Sequence, residues 1–317
     1  MTDRPYGTLP RRLAVAIVAI PLMVWLTMQG GYLFLLMVVI MSTLSLREFY
    51  HLTEARGAHP VKLLGLVSGI LVTGAFVYER AQVDLYLFFE QQGIRLAMFS
   101  QLQFLFVVLI IFLLSVLIVE LFRTRGSALQ NIGSTVSGVL VVSLCFGTLV
   151  GLRELFPYGF PVHRLQAAGL IESADLATIH RWGGFTVVAM FASIWMCDTA
   201  AYFAGLSFGK HKLFPRVSPG KSWEGGVVGL LAAIGTMLAA RSMMLDYLSV
   251  HHALVIGILI GVFGQVGDLV ESRLKRDAGV KDSSGLLPGH GGMYDRFDSL
   301  VFLSPILYLY VDFVVLS

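Results

Sequence analysis

Charge is what this chain has least of. Asp, Glu, Lys and Arg make up 14% of its 317 residues, against 56% hydrophobic, and the mean hydropathy is +0.77. Soluble globular chains carry about 25% charged residues, so that class is excluded and the chain reads as an integral membrane protein. Cysteine is nearly absent. Cys145 and Cys197 both fall in apolar runs, where they behave as small hydrophobes and build no disulfide framework. No low-complexity linker and no internal repeat divides the chain. A G-x-x-x-x-G-K-[ST] loop, a G-x-G-x-x-G after a strand and an H-E-x-x-H are all missing, which excludes the common phosphate-binding and zinc devices. The formal charge of +3 fits basic loops lying on anionic headgroups and calls for no nucleic acid.

Long apolar runs fill the rest. A run of about 18 residues or more crosses a hydrocarbon core of roughly 30 Å as a helix. Nine candidate spans lie at 13–28, 32–46, 61–77, 102–122, 132–152, 185–204, 225–240, 250–270 and 297–316. Arg11 and Arg12 precede the first run, but no small-residue cleavage site follows, so it is expected to be a retained span. Most of the 23 Lys and Arg fall in alternate loops starting with the N-terminus, which predicts a cytoplasmic N-terminus and an external C-terminus. The expected fold is an all-α polytopic membrane protein. An N-terminal transmembrane region, 1–182, ends in a polar external segment near 154–182 with a short interfacial helix expected at 165–179. A C-terminal region, 183–317, carries the polar residues that chemistry needs.

Asp198 interrupts the apolar run "FASIWMCDTAAYFAG". A charge at a helix centre costs about 2.5 to 3.5 kcal/mol, so an acid there is either a hydrogen-bonded structural group or a functional one. At 1.5 Å per residue it lies roughly 10 Å from the cytoplasmic end of its span. In "GVFGQVGDLVESRLKR", Asp268, Glu271, Ser272 and Lys275 share one helix face. Asp295 and Asp298 enter the ninth span from the same side, and Glu224 opens the seventh. Asp198, Glu224, Asp268, Asp295 and Asp298 are therefore expected at one interface. Grouped carboxylates repel unless cations intervene, and hard oxygen ligands suit Mg²⁺, which bridges phosphate oxygens. Cations surround them: Lys210, Lys212, Arg216 and Lys221 in one loop, Lys275, Arg276, Lys281 and Arg296 in the other. In "PGHGG", Gly291 and Gly292 let backbone N–H groups approach an anion, and His290 is a candidate donor or proton shuttle.

The stretch "SRLKRDAGVKDSSGLLPGHGGMYDRFD", residues 272–298, resembles the signature of the phosphatidate cytidylyltransferases, also called CDP-diacylglycerol synthases. The likeness runs upstream through "CDTAAYFAGLSFGKHKLFPRVSPGKSWEGG" and covers roughly 183–317. Two places depart from the family pattern: Gly220 and Ser222 stand where Lys and Thr are usual, and Ala200 replaces a glycine. The resemblance implies CTP and phosphatidic acid as substrates, CDP-diacylglycerol and pyrophosphate as products, and Mg²⁺ dependence with one or two cations. It further implies a homodimer through the N-terminal spans and a bacterial inner-membrane location with the site facing the cytoplasm. It assigns Asp268, Lys275, Lys281, Asp282, His290, Asp295 and Arg296 to catalysis. Lys210, Lys221, Ser222, Ser272, Arg276, Gly291 and Gly292 would bind substrate. Asp198, Glu224, Asp268, Asp295 and Asp298 would hold metal. Two alternatives keep part of this pattern. One is a CTP-dependent enzyme acting on another lipid phosphate or a polyprenol; the other is an ion-coupled transporter in which Asp198 and Asp268 line an ion path.

Overall fold

The computed structural model describes residues 9–93, 100–158, 173–286 and 291–316. Its helices are α1 (Leu9–Gln29), α2 (Gly31–Glu54), α3 (Lys62–Gly74), α4 (Tyr78–Glu90), α5 (Gln101–Leu121), α6 (Ala128–Gly138) and α7 (Cys145–Tyr158). After these come α8 (Ser173–Phe208), α9 (Trp223–Met244), α10 (Val250–Asp277) and α11 (Tyr294–Tyr310). A 3₁₀ turn joins α3 to α4, a π turn joins α6 to α7, and α11 runs on as a π turn over Val311–Val315. Eight of the resulting helices are long and apolar enough to cross a membrane, and the apolar part of α1, Ile17–Gln29, is shorter. The polytopic helical class expected from the sequence is what the chain adopts.

Three details differ from the expectation. The third apolar run does not stop at 77: the helix continues to Glu90. No separate interfacial helix ends at 179, because from Ser173 onward these residues are the first turns of α8, which is continuous to Phe208. At 36 residues it is roughly 54 Å long and overshoots a hydrocarbon core of roughly 30 Å, so its polar first turns need no helix of their own. The start of that expected helix falls outside the described residues. Third, the loop between α8 and α9 folds into a two-stranded antiparallel hairpin, β1 (Lys212–Phe214) and β2 (Ser218–Ser222), pairing Lys212 with Ser222 and Phe214 with Ser218.

At the end of the bundle away from the hairpin, Arg153 is wholly buried. Its Nε donates to the carbonyl of Thr27 at 2.7 Å and Nη2 to that of Met28 at 3.1 Å, filling orphan acceptors at the end of α1. Beside it, Glu154 accepts the Gly31 N–H at 2.8 Å and pairs with Arg80 at 3.2 Å. Gly30 turns the chain there with φ +64°, and a Cβ would strike the Arg153 guanidinium, so two reasons demand glycine.

Small residues set the spacing at the hairpin end. A Cβ on Gly225 of α9 would lie 2.6 Å from the Ala201 carbonyl of α8, and one on Gly267 of α10 would lie 2.8 Å from Phe302 Cβ and 3.0 Å from the Asp298 carbonyl of α11. Close backbone approach through small residues is how membrane helices pack without a hydrophobic drive between them. It brings the acid-bearing ends of α8, α10 and α11 together.

Candidate active site

Asp198 on α8, Asp268 on α10 and Asp298 on α11 lie near enough to act on one another electrostatically, and Lys221 of β2 acts on the same group. Lys221 Nζ pairs with Asp268 Oδ2 at 2.7 Å. Ser272, one turn along α10, donates from Oγ to Asp268 Oδ1 at 3.2 Å, and the Ser299 N–H donates to Asp298 at 2.5 Å. Asp198 is exposed. Three carboxylates thus face one lysine, an arrangement short of positive charge.

The expected five-acid group divides. Glu224, in the first turn of α9, accepts from His211 Nδ1 at 2.7 Å and from the His211 N–H at 3.2 Å, which ties the hairpin to the helix. Asp295 is engaged by its own loop: Oδ1 accepts from Lys275 Nζ at 2.9 Å, and Oδ2 from the N–H groups of Ser283 at 3.0 Å and Gly292 at 2.7 Å. A carboxylate at a loop's end satisfies several backbone donors at once, which is why Asp295 folds inward and leaves the other acids. Lys275 also lies 2.6 Å from Glu271, which is only 2% exposed. That contact is an ion pair by distance, off the angle of a hydrogen bond.

The remaining candidates are placed as follows. Ser222 is buried and caps α9, its Oγ accepting the Gly225 N–H at 3.2 Å. Arg276 donates to the carbonyls of Val217 at 3.5 Å and Val280 at 3.2 Å, linking the hairpin to the signature loop. Lys210, Lys281, Asp282 and Arg296 are exposed. The Gly292 N–H is used by Asp295, and Gly291 has φ +80° with its Cα backed against the Asp295 carboxylate. His290 lies outside the described residues. Beside the hairpin, a groove of about 970 Å³ is bounded by Phe208, Lys210, Lys212, Trp223, Glu224 and Val227 among others. It joins cations to an apolar wall.

Sequence reasoning missed Glu48 of α2. It is 4% exposed and accepts from Ser283 Oγ at 3.1 Å, Ser284 Oγ at 2.5 Å, the Met293 N–H at 3.0 Å and the Tyr294 N–H at 2.7 Å. A signal for it was present. Phe34, Val38, Met41, Ser45, Glu48 and Leu52 are all buried, and their alternating spacing of four and three marks the inward stripe of α2.

Among the described residues, no group of three or more His, Cys, Asp or Glu stands ready to hold a metal ion by itself. The donor set nonetheless suits Mg²⁺, which is typically held by one or two carboxylates with water and substrate phosphates completing the shell, not by an all-protein cage. Asp268 and Asp298 are oxygen donors of that kind, with Asp198 in range to balance charge.

A profile described as "Cytidylyltransferase family" matches residues 10–314. The phosphatidate cytidylyltransferase of Bacillus subtilis (strain 168) is 31% identical over 301 residues, covering 94% of this chain and 96% of that protein. Proteins of the same name from Staphylococcus epidermidis and Staphylococcus saprophyticus are 45% and 46% identical over 121 residues, 38% of this chain and 46% of each relative.

Proposed function

The chain belongs to the cytidylyltransferase family, and on that premise we propose that it transfers CMP from CTP to phosphatidate, giving CDP-diacylglycerol and pyrophosphate. The observation that carries the reading is the meeting of Asp198, Asp268 and Asp298, from three helices, beside Lys221 at the end of the bundle where α10 ends and α11 begins. Carboxylates short of countercharge suit a polyphosphate only when a divalent cation accompanies it.

A phosphatidate phosphate oxygen attacks the α-phosphorus of CTP, a new P–O–P linkage forms, and the bond to the β-phosphate oxygen breaks to release pyrophosphate. The phosphate monoester is already ionised near neutral pH, so no strong base is needed and the protein chiefly positions and neutralises. Asp268 and Asp298 would hold Mg²⁺, which would supply charge neutralisation on the reacting phosphates. Lys221, once released from Asp268, would pair with a phosphate oxygen of the substrates. Lys281 and Arg296, exposed on the signature loop and first turn of α11, screen the triphosphate. The groove beside the hairpin, apolar on Trp223 and Val227 and cationic on Lys210 and Lys212, suits a lipid whose chains stay in the bilayer while its phosphate meets the site. Use of CTP requires this end of the bundle to face the cytoplasm, and the distribution of Lys and Arg supports that orientation.

Label position tests the proposal. With α-labelled CTP and phosphatidate, radioactivity enters the organic phase and one pyrophosphate is released per lipid formed. Transfer of γ-label to lipid instead would identify a CTP-dependent kinase and overturn it.

A further inference from the structure

We propose that Glu48 is a positioning residue for the reaction: a strap from the N-terminal half of the chain that holds Ser283 and Ser284 against the start of α11. The argument rests on donor geometry. One carboxylate, 4% exposed, receives four hydrogen bonds from residues 235 to 246 positions away in sequence. Two come from hydroxyls at the loop's beginning, Ser283 and Ser284, and two from backbone N–H groups where α11 starts, Met293 and Tyr294. The N–H groups at a helix start have no partner within the helix, so Glu48 caps α11 from another helix while gripping the far arm of the loop.

Asp295 makes the complementary closure. It receives N–H groups from Ser283 and Gly292 on the loop's inner side, so Ser283 is held by Asp295 through its backbone and by Glu48 through its hydroxyl. Gly292 is pinched between them: a Cβ there would collide with both Ser283 Oγ and the Glu48 carboxylate. Phe49, the next residue of α2, meets Tyr294 edge to face with ring centroids 6.2 Å apart. The span carrying no chemistry of its own thereby ties Ser283 and Ser284 to the start of α11 at Met293 and Tyr294.

The part of the inference that concerns CTP rests on the function proposed above; the strap itself does not. In Glu48→Gln the shape is kept, but an amide NH₂ now faces donors. Amide hydrogen exchange should speed up at Met293 and Tyr294 while the rest of α2 and α11 stays protected. The kcat/KM for CTP should fall about 100-fold, the scale of rate loss when a reacting group is misplaced by about an ångström, with the KM for phosphatidate unmoved. Ser284→Ala, which removes one donor and leaves the carboxylate, should shift both readouts in the same direction by less. Unchanged exchange at Met293 and Tyr294 overturns the strap, as does protection lost evenly along both helices, which would make Glu48 a fold residue only. If wild-type protein turned over no CTP, the proposed function would fall, and the exchange measurement would still decide the strap.

Discussion

Asp268 stands between two demands, an ion pair with Lys221 and the repulsion of Asp198 and Asp298, and both are relieved if a cation enters and Lys221 turns to phosphate. Asp298→Asn removes one of those charges, and turnover is expected to fall by about 100-fold or more, given several kcal/mol of charge stabilisation from a bound metal. Raising Mg²⁺ should not restore it; steady-state rates across a Mg²⁺ titration check this. Lys275 makes a different prediction. It is half-buried between Asp295 and the buried Glu271, and breaking a buried pair by removing one partner costs about 3 to 5 kcal/mol, an upper bound here. Lys275→Met should therefore lower the melting midpoint in detergent, whereas Lys281→Met, at an exposed site, should leave it in place. Asp198 was legible because it interrupts an apolar run, Asp268 because it shares a helix face with Glu271, Ser272 and Lys275, and Asp298 because it stands where the ninth span begins. The division of the five was not, since it depends on which backbone N–H groups and which histidine a carboxylate meets after folding, and composition holds no record of that.

Helices were easier to read than the way they join. Their apolar lengths were plain: α9 gains two residues before and four after the expected run, whereas α2 and α10 run on eight and seven residues past their expected C-terminal ends. What the sequence concealed was the pair of turns inside the spans, 3₁₀ at Ala75–Val77 and π at Val139–Leu144, because neither changes hydropathy. The hairpin was hidden too: β1 has three residues and β2 five, too few for alternation to show. Close packing between elements yields a testable consequence. Gly267 lets α10 and α11 approach at the level of Asp268 and Asp298, and overpacking a tight contact costs about 1 to 3 kcal/mol. Gly267→Val should push the two acids apart, lowering turnover more than tenfold, on the scale expected for about an ångström of misplacement, while lowering the melting midpoint modestly. Gly235→Val, in open space on α9, is the control and should change neither.

Across the whole molecule, the chain is pinned at both ends of the bundle. Arg153 and Glu154 fasten the α1–α2 turn at one end, and Glu48 and Asp295 hold Ser283 to the start of α11 at the other. The division into an N-terminal scaffold and a C-terminal chemical region, drawn from where polar residues concentrate, conceals the hydrogen bonds of Glu48 across it. Lys and Arg in alternate loops predict that the hairpin faces the cytoplasm and the α9–α10 turn the outside. In sealed right-side-out vesicles, an impermeant thiol reagent should label Ser249→Cys and spare Gly220→Cys until the membrane is opened. The central claim is that carboxylates gathered from three helices serve cytidylyl transfer. Its most direct test is CDP-diacylglycerol formation by the purified protein in micelles with CTP, phosphatidate and Mg²⁺, beside a folded Asp268→Asn variant. The account predicts Mg²⁺-dependent product from the wild type and almost none from the variant at an unchanged melting midpoint. Equal turnover by the two would contradict it.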